Sequence, residues 1–189
     1  MFATPGRLPD GPQWQYEVRW AGLRVLVDIT AGRLRLTSRD ERDVTGHFPE
    51  FAHLAGQMRD GLLDAEIVIL DGGVPSSAAL ARRLRVTDRR RLSRLARWRP
   101  GTLMVVDVLR LYGVMLLNRS LDARRSTLER VGIDAVRNVA LSPVFDDGQA
   151  LLAATKRQRL PGVIAKRADS PYRPGVRDPA WVEVTHARA

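Results

Sequence analysis

Cysteine is absent, and lysine nearly so: of 31 basic residues only Lys156 and Lys166 are lysines. Without cysteine there are no disulfides and no thiolate metal ligands, which fits a reducing, cytoplasmic setting. Three histidines, His47, His53 and His186, show no metal-ligand spacing, so no metal site is expected from them. No stretch reaches the roughly 18 consecutive apolar residues of a membrane helix. The opening "MFATPGRLPDGPQ" has no apolar core of a signal peptide, and no membrane partner is expected.

What is present in abundance is arginine, and with it a net charge of +10. A charge of this sign points to a polyanion, nucleic acid or nucleotide, bound with release of counterions. A GC-rich coding sequence produces the same skew toward Arg, Ala, Gly and Pro with no function attached, so both readings stay open. At 189 residues, with 44% apolar and 28% charged side chains, the chain suffices for one compact domain, or one domain with a subdomain, with a sizeable core.

Residues 1–12 are rich in Pro and Gly and read as a loose lead-in. "WQYEVRW", "LRVLVDI" and "RLRLTS", parted by Gly22 and Gly32, read as a three-strand antiparallel meander. "FPEFAHLAGQMRDGLL" spaces Phe51, Leu54, Ala55 and Met58 as a helix does, with Pro49 at its start. "AEIVILDGG" reads as a buried strand. "SSAALARRL" and "TDRRRLSRLARW" read as helices, the second capped by Thr87. A long strand "GTLMVVDVLRLYG" and the helices "LDARRSTLERVG" and "DDGQALLAATKRQRL" follow. The strand "GVIAKR", a Pro/Gly-rich loop over 169–179 and the strand "AWVEVTH" complete the chain. Hairpins interspersed with helices predict an α+β fold of antiparallel sheets flanked by helices.

Six pieces occur in order: "YEVRWAGLR", "TSRD", "LDAEIVILDG", "MVVDVLRLYG", "PGVIAKR" and "SPYRPGVRDPAWVEV". Together, over roughly residues 13–186, they resemble the adenylation (nucleotidyltransferase) domain of bacterial ATP-dependent DNA ligases. The ligase module of multifunctional end-joining proteins is the most similar form. The resemblance implies a covalent nucleotidyltransferase core, ATP-grasp-like, with ATP between two antiparallel sheets. It also implies ATP or AMP with Mg as ligands, and DNA and repair proteins as partners. In that family a lysine in a Lys-x-Asp-Gly loop attacks the ATP α-phosphate. The AMP then passes to a DNA 5′-phosphate and is displaced by a 3′-hydroxyl. A separate OB-fold domain normally follows; here residues 13–189 are expected to form the adenylation domain with none after it.

Carried over position by position, the nucleotide-binding set is Glu17, Arg19, Arg24, Arg39, Glu66 and Lys166. The departures fall on the chemistry. Arg19 stands at the nucleophile and Ala21 at its aspartate. Ala65 precedes Glu66 where a glycine is usual, and Val106, before the matching Asp107, takes the place of an adenine-stacking aromatic. Pro161 occupies the metal-binding glutamate position, and Glu183 and Thr185 the two lysines of the last motif. A guanidinium has delocalised lone pairs and stays a cation, so Arg19 can grip a phosphate or pair with Glu17 or Glu66 without attacking anything. Proline offers no metal donor. Carboxylate for ammonium at 183 reverses an interaction of about 4 kcal/mol, for charges about 4 Å apart at an effective dielectric near 20. Losing the stacking ring costs about 1–3 kcal/mol by analogy with nucleic-acid platforms. Lys156 reads as a solvated helix residue, which leaves Lys166 as the sole replacement nucleophile.

No catalytic residue and no metal ligand is therefore expected. Three readings remain: a non-catalytic module that binds DNA or a repair partner, which the joint losses favour; an adenylyltransferase that uses Lys166 or a complementing chain; and a regulatory domain that holds ATP or AMP without turnover. On "TDRRRLSRLARWR", Leu92, Leu95 and Ala96 form the apolar stripe. Arg89, Arg90, Arg91, Arg94 and Arg97 lie outside it, as a grip on a DNA backbone or as a solvated face. Arg173 and Arg177 either meet phosphates or decorate a loop in which Tyr172 and Trp181 pack on the sheet.

Overall fold

The structure, a computed structural model, describes residues 1–186. In chain order the elements are β1 (Phe2–Pro5), β2 (Trp14–Arg19), β3 (Leu23–Thr30), β4 (Arg33–Ser38) and α1 (Leu54–Gln57). Next come β5 (Asp60–Asp71), β6 (Val74–Pro75), α2 (Ser77–Leu84), α3 (Arg89–Trp98), β7 (Gly101–Leu111), β8 (Val114–Met115) and α4 (Leu121–Val131). β9 (Val139–Leu141), β10 (Val144–Phe145), α5 (Gly148–Arg157), β11 (Gly162–Arg167) and β12 (Arg177–Thr185) complete the set. They form two compact units: Met1–Trp20, Leu117–Ser126 and the chain from Ser142 in the first; Ala21–Leu116 and Thr127–Leu141 in the second.

The first unit holds a five-stranded sheet in the order β1-β12-β11-β2-β10. Strands alternate their side chains between faces, so Tyr16, Val18, Val163, Ala165 and Val182 share one face with Leu151 of α5 and form its core. Gly148 opens α5 against the Tyr16 ring, where a Cβ would lie 2.5 Å from Cε1. Asp147 caps that helix, accepting from the Ala150 amide at 2.8 Å. The opposite face of the sheet is the one that bears the chemistry described below.

The second unit is built on β4-β3-β5-β7-β8, with β6 on β5 and β9 on β7. Val25, Val27, Ile29, Leu63, Ala65, Ile67, Leu103 and Val105 pack its main core with Phe48, Phe51 and Leu54. The buried Arg83 of α2 bonds Glu50 at 2.9 Å and the Arg99 carbonyl at 2.6 Å. Glu50 also accepts from the Gly101 amide at 2.7 Å.

The α+β arrangement agrees with the sequence expectation, with two parallel pairings, β1 with β12 and β7 with β9, inside otherwise antiparallel sheets. Four local expectations are corrected. β2 does not join β3 in a meander: its edges are taken by β11 and β10, and those of β3 by β4 and β5. The lead-in is not loose throughout, because Phe2–Pro5 pairs with β12 and Met1 is buried. The helix expected across residues 49–63 shrinks to 3-10 turns and the four residues of α1, since Gly61 and Leu63 are drawn into pairing with Ile29 and Val27. The cap of α3 is Asp88, one residue past Thr87, accepting from the Arg91 amide at 2.7 Å.

Candidate functional site

On the face of the first unit's sheet opposite α5, strand register sets three rows: Arg19–Gly162–Thr185, Glu17–Ile164–Glu183 and Gln15–Lys166–Trp181. The two-residue period of β2, β11 and β12 therefore gathers the nucleophile-loop, "GVIAKR" and "AWVEVT" positions onto one surface. Lys166 is buried and donates from Nζ to Glu17 Oε1 at 2.5 Å, with both side chains almost fully shielded. The same Nζ sits 4.3 Å from the centroid of the Trp181 ring. An ion pair and a cation–π contact thus both engage the Lys166 side chain. Trp181 in turn meets Tyr172 edge-on, with centroids 5.8 Å apart at 84°, which bears out the packing expected of that loop.

Arg19 donates from Nε to Glu183, so its partner is neither Glu17 nor Glu66. Glu183 was legible as a reversed charge, but the reach from β2 to β12 across β11 was not. That reach passes over Gly162, the residue between Arg19 and Thr185 in register. At a φ of +149° and with a would-be Cβ 2.0 Å from the Val184 carbonyl oxygen, no other residue fits there. Among Arg19, Lys166, Glu17 and Glu183 two cations meet two carboxylates in short pairs, and the four charges cancel. The family pattern would instead place lysines at 19, 166, 183 and 185, with acidic residues at 17, 21 and 161. A guanidinium has no lone pair free for attack, and the Lys166 amine is engaged by Glu17 and Trp181.

In the second unit, Glu66 Oε1 accepts from the Gly22 amide at 3.0 Å. A Cβ on Gly22 would lie 2.5 Å from the Ile67 carbonyl oxygen and 2.8 Å from Glu66 Cγ, so the turn requires glycine. Arg24 reaches the buried Asp64 through two bonds of 3.0 and 2.6 Å. Arg24, Asp64 and Glu66 stand on the sheet face away from the main core, in register between β3 and β5. Arg39 is exposed at the end of β4, Val106 is half-buried and Asp107 is buried on β7.

Pro161 brings no side-chain donor, Glu66 Oε1 accepts from the Gly22 amide, and the described residues contain no group of three or more His, Asp or Glu arranged to hold a metal. No helix among them is long and apolar enough to cross a membrane.

Arg89, Arg90, Arg91, Arg94 and Arg97 are all exposed on α3, with Leu92 buried beneath them. Lys156 is exposed on α5. Arg173 pairs with Asp178 at 3.1 Å and Arg177 donates to the Ala3 carbonyl, so both serve the loop that carries them.

Comparison with known proteins agrees with this geometry. The family model described as ATP dependent DNA ligase domain matches residues 8–184. The multifunctional non-homologous end joining protein LigD of Mycolicibacterium smegmatis is 34% identical over 188 residues, covering 97% of this chain and 23% of that protein. The ligase domain of Mycobacterium tuberculosis LigD superposes with a TM-score of 0.82 at 33% identity, over 98% of this chain and 58% of the other. A mycobacterial DNA ligase D complexed with ATP gives 0.81 at 33% identity, over 98% and 59%. The chain thus spans about a quarter of the multifunctional relatives, within their ligase portion. With motif positions, fold and family model in agreement, this chain belongs to the ATP-dependent DNA ligase domain family.

Proposed function

We propose that the chain is a ligase-type adenylation domain that binds DNA as a non-catalytic module of DNA repair. The observation that carries the reading is the Arg19–Glu183 pair, which joins the nucleophile position to a phosphate-facing position as a charge-neutral contact. A lysyl-AMP cannot form on a guanidinium, and the face around it no longer offers the excess positive charge a triphosphate needs. The ion pairs of Lys166 with Glu17 and of Arg24 with Asp64 keep the scaffold of the motifs while the reacting groups are gone.

The test is a nicked duplex carrying a 5′-phosphate, incubated with the chain, ATP and Mg²⁺ or Mn²⁺. Retarded mobility of the duplex without sealing is expected; sealing contradicts the reading. A second reading, nucleotide held without turnover, draws on the retained Glu17 and Lys166. Calorimetry separates the two, with ATP or AMP binding tighter than millimolar favouring the second.

A further inference from the structure

Trp98, the last residue of α3, is 85% exposed, the most exposed of the large apolar side chains. At 100° per residue, Arg91, Arg94 and Trp98 follow the i, i+3, i+7 spacing of one helix face, with Arg90 and Arg97 beside them. The rise of 1.5 Å per residue makes that stripe about 10 Å long. None of the five α3 arginines pairs with a carboxylate among the described residues. Arg82 at the end of α2 and Arg85 just past it are exposed as well. Just past the helix Arg99 pairs with Asp71 at the end of β5. Leu70 near the end of β5 and Val74 of β6 are also exposed.

We propose that this surface is a single-strand platform, on which an unpaired DNA base stacks on the Trp98 indole while the backbone runs along Arg90, Arg91, Arg94 and Arg97. The inference rests on the DNA-binding reading above and specifies the form of DNA. Unpartnered cations call for a polyanion. A flat aromatic at the end of their row calls for something more than phosphate, and an unpaired base supplies both needs, whereas a duplex hides its base faces. An acidic peptide would satisfy the arginines and leave the indole in water. A lipid surface would need an apolar helix face, and that of α3 is spent on the core through Leu92.

Labelled oligothymidine and a duplex of the same length, titrated with the chain at low salt and followed by fluorescence anisotropy, provide the test. Trp98→Ala is expected to weaken oligothymidine binding about 5- to 150-fold and duplex binding less than about 2-fold. Trp98→Phe is expected to recover most of the loss. Arg91→Ala with Arg94→Ala is expected to weaken both and to flatten the salt dependence by about two contacts. Equal losses on both DNA forms for Trp98→Ala, or no loss on oligothymidine, overturn the platform and leave DNA binding standing. Wild-type protein that binds a poly-glutamate peptide as tightly as oligothymidine also overturns it. Wild-type protein that binds neither DNA form overturns the DNA-binding reading and the platform with it. Since Trp98 is outside the core, unchanged circular dichroism is expected for each of its variants.

Discussion

Lys166 and Arg19 share one sheet face but differ in burial, and burial decides how much each pair contributes. The Lys166–Glu17 pair is shielded to within a few per cent. Removing one partner strands a buried charge, so Lys166→Ala or Glu17→Ala is expected to cost about 3–5 kcal/mol in urea unfolding. The Arg19–Glu183 side chains are 35% and 25% exposed, and a double-mutant cycle there is expected to give less than about 1 kcal/mol of coupling. Tyr16 adds a pH dependence. Its hydroxyl donates to the Pro9 carbonyl at 2.9 Å. Burial raises the phenol above its ordinary value of 10.0, with Asp10 and Asp147 adding to the effect. The folded state holds this proton more tightly than the unfolded chain, so its contribution is full below pH 10 and lost as pH rises through the raised value. Wild-type stability is expected to fall more steeply above pH 10 than that of Tyr16→Phe, followed by urea unfolding across pH 8 to about 11.5.

At the scale of elements, β11 must begin on a glycine, because a Cβ on Gly162 would lie 2.0 Å from the Val184 carbonyl oxygen of β12. Gly162→Ala is expected to lower stability by about 1–3 kcal/mol or more, measured by thermal unfolding. Asp88→Ala removes the cap of α3 and is expected to cost about 1 kcal/mol. The strands whose residues alternate or run apolar, β3, β4, β5, β7 and β11, were legible, because their pattern and their final burial are the same fact. β2 was legible as a strand but not in its pairing, which depends on β11, more than 140 residues away in sequence by the Lys166–Glu17 separation of 149. α1 failed because Phe51, Leu54 and Met58 reach the core from turns as well as from a helix. β9, with three residues, and β1 carry too little pattern to announce themselves. Among site residues, the changes at 19, 21, 161 and 183 could be read directly from the motifs. The Arg19–Glu183 pairing and the Trp181 ring beneath Lys166 emerge only from register.

For the whole molecule, the net charge of +10 is unevenly distributed. Arg24, Arg83, Arg110 and Arg173 are consumed in ion pairs, while the α3 row is left to solvent. If that row meets phosphates, the slope of log affinity against log salt is expected to approach −0.9 per contact for duplex DNA, and about −0.7 for single strands. A flat salt response in a titration from about 50 to 200 mM salt would assign the arginines to composition alone.

The central claim is that the nucleophile position has been turned into half of an ion pair and that adenylylation is gone with it. Intact-protein mass spectrometry after incubation with ATP and Mg²⁺ or Mn²⁺ tests this most directly, run on wild type and on Arg19→Lys with Ala21→Asp. Unshifted mass is expected for the wild type and for the double variant, because Pro161, Glu183 and Thr185 still oppose metal and triphosphate. A wild-type mass increased by one AMP that survives denaturation would contradict the account.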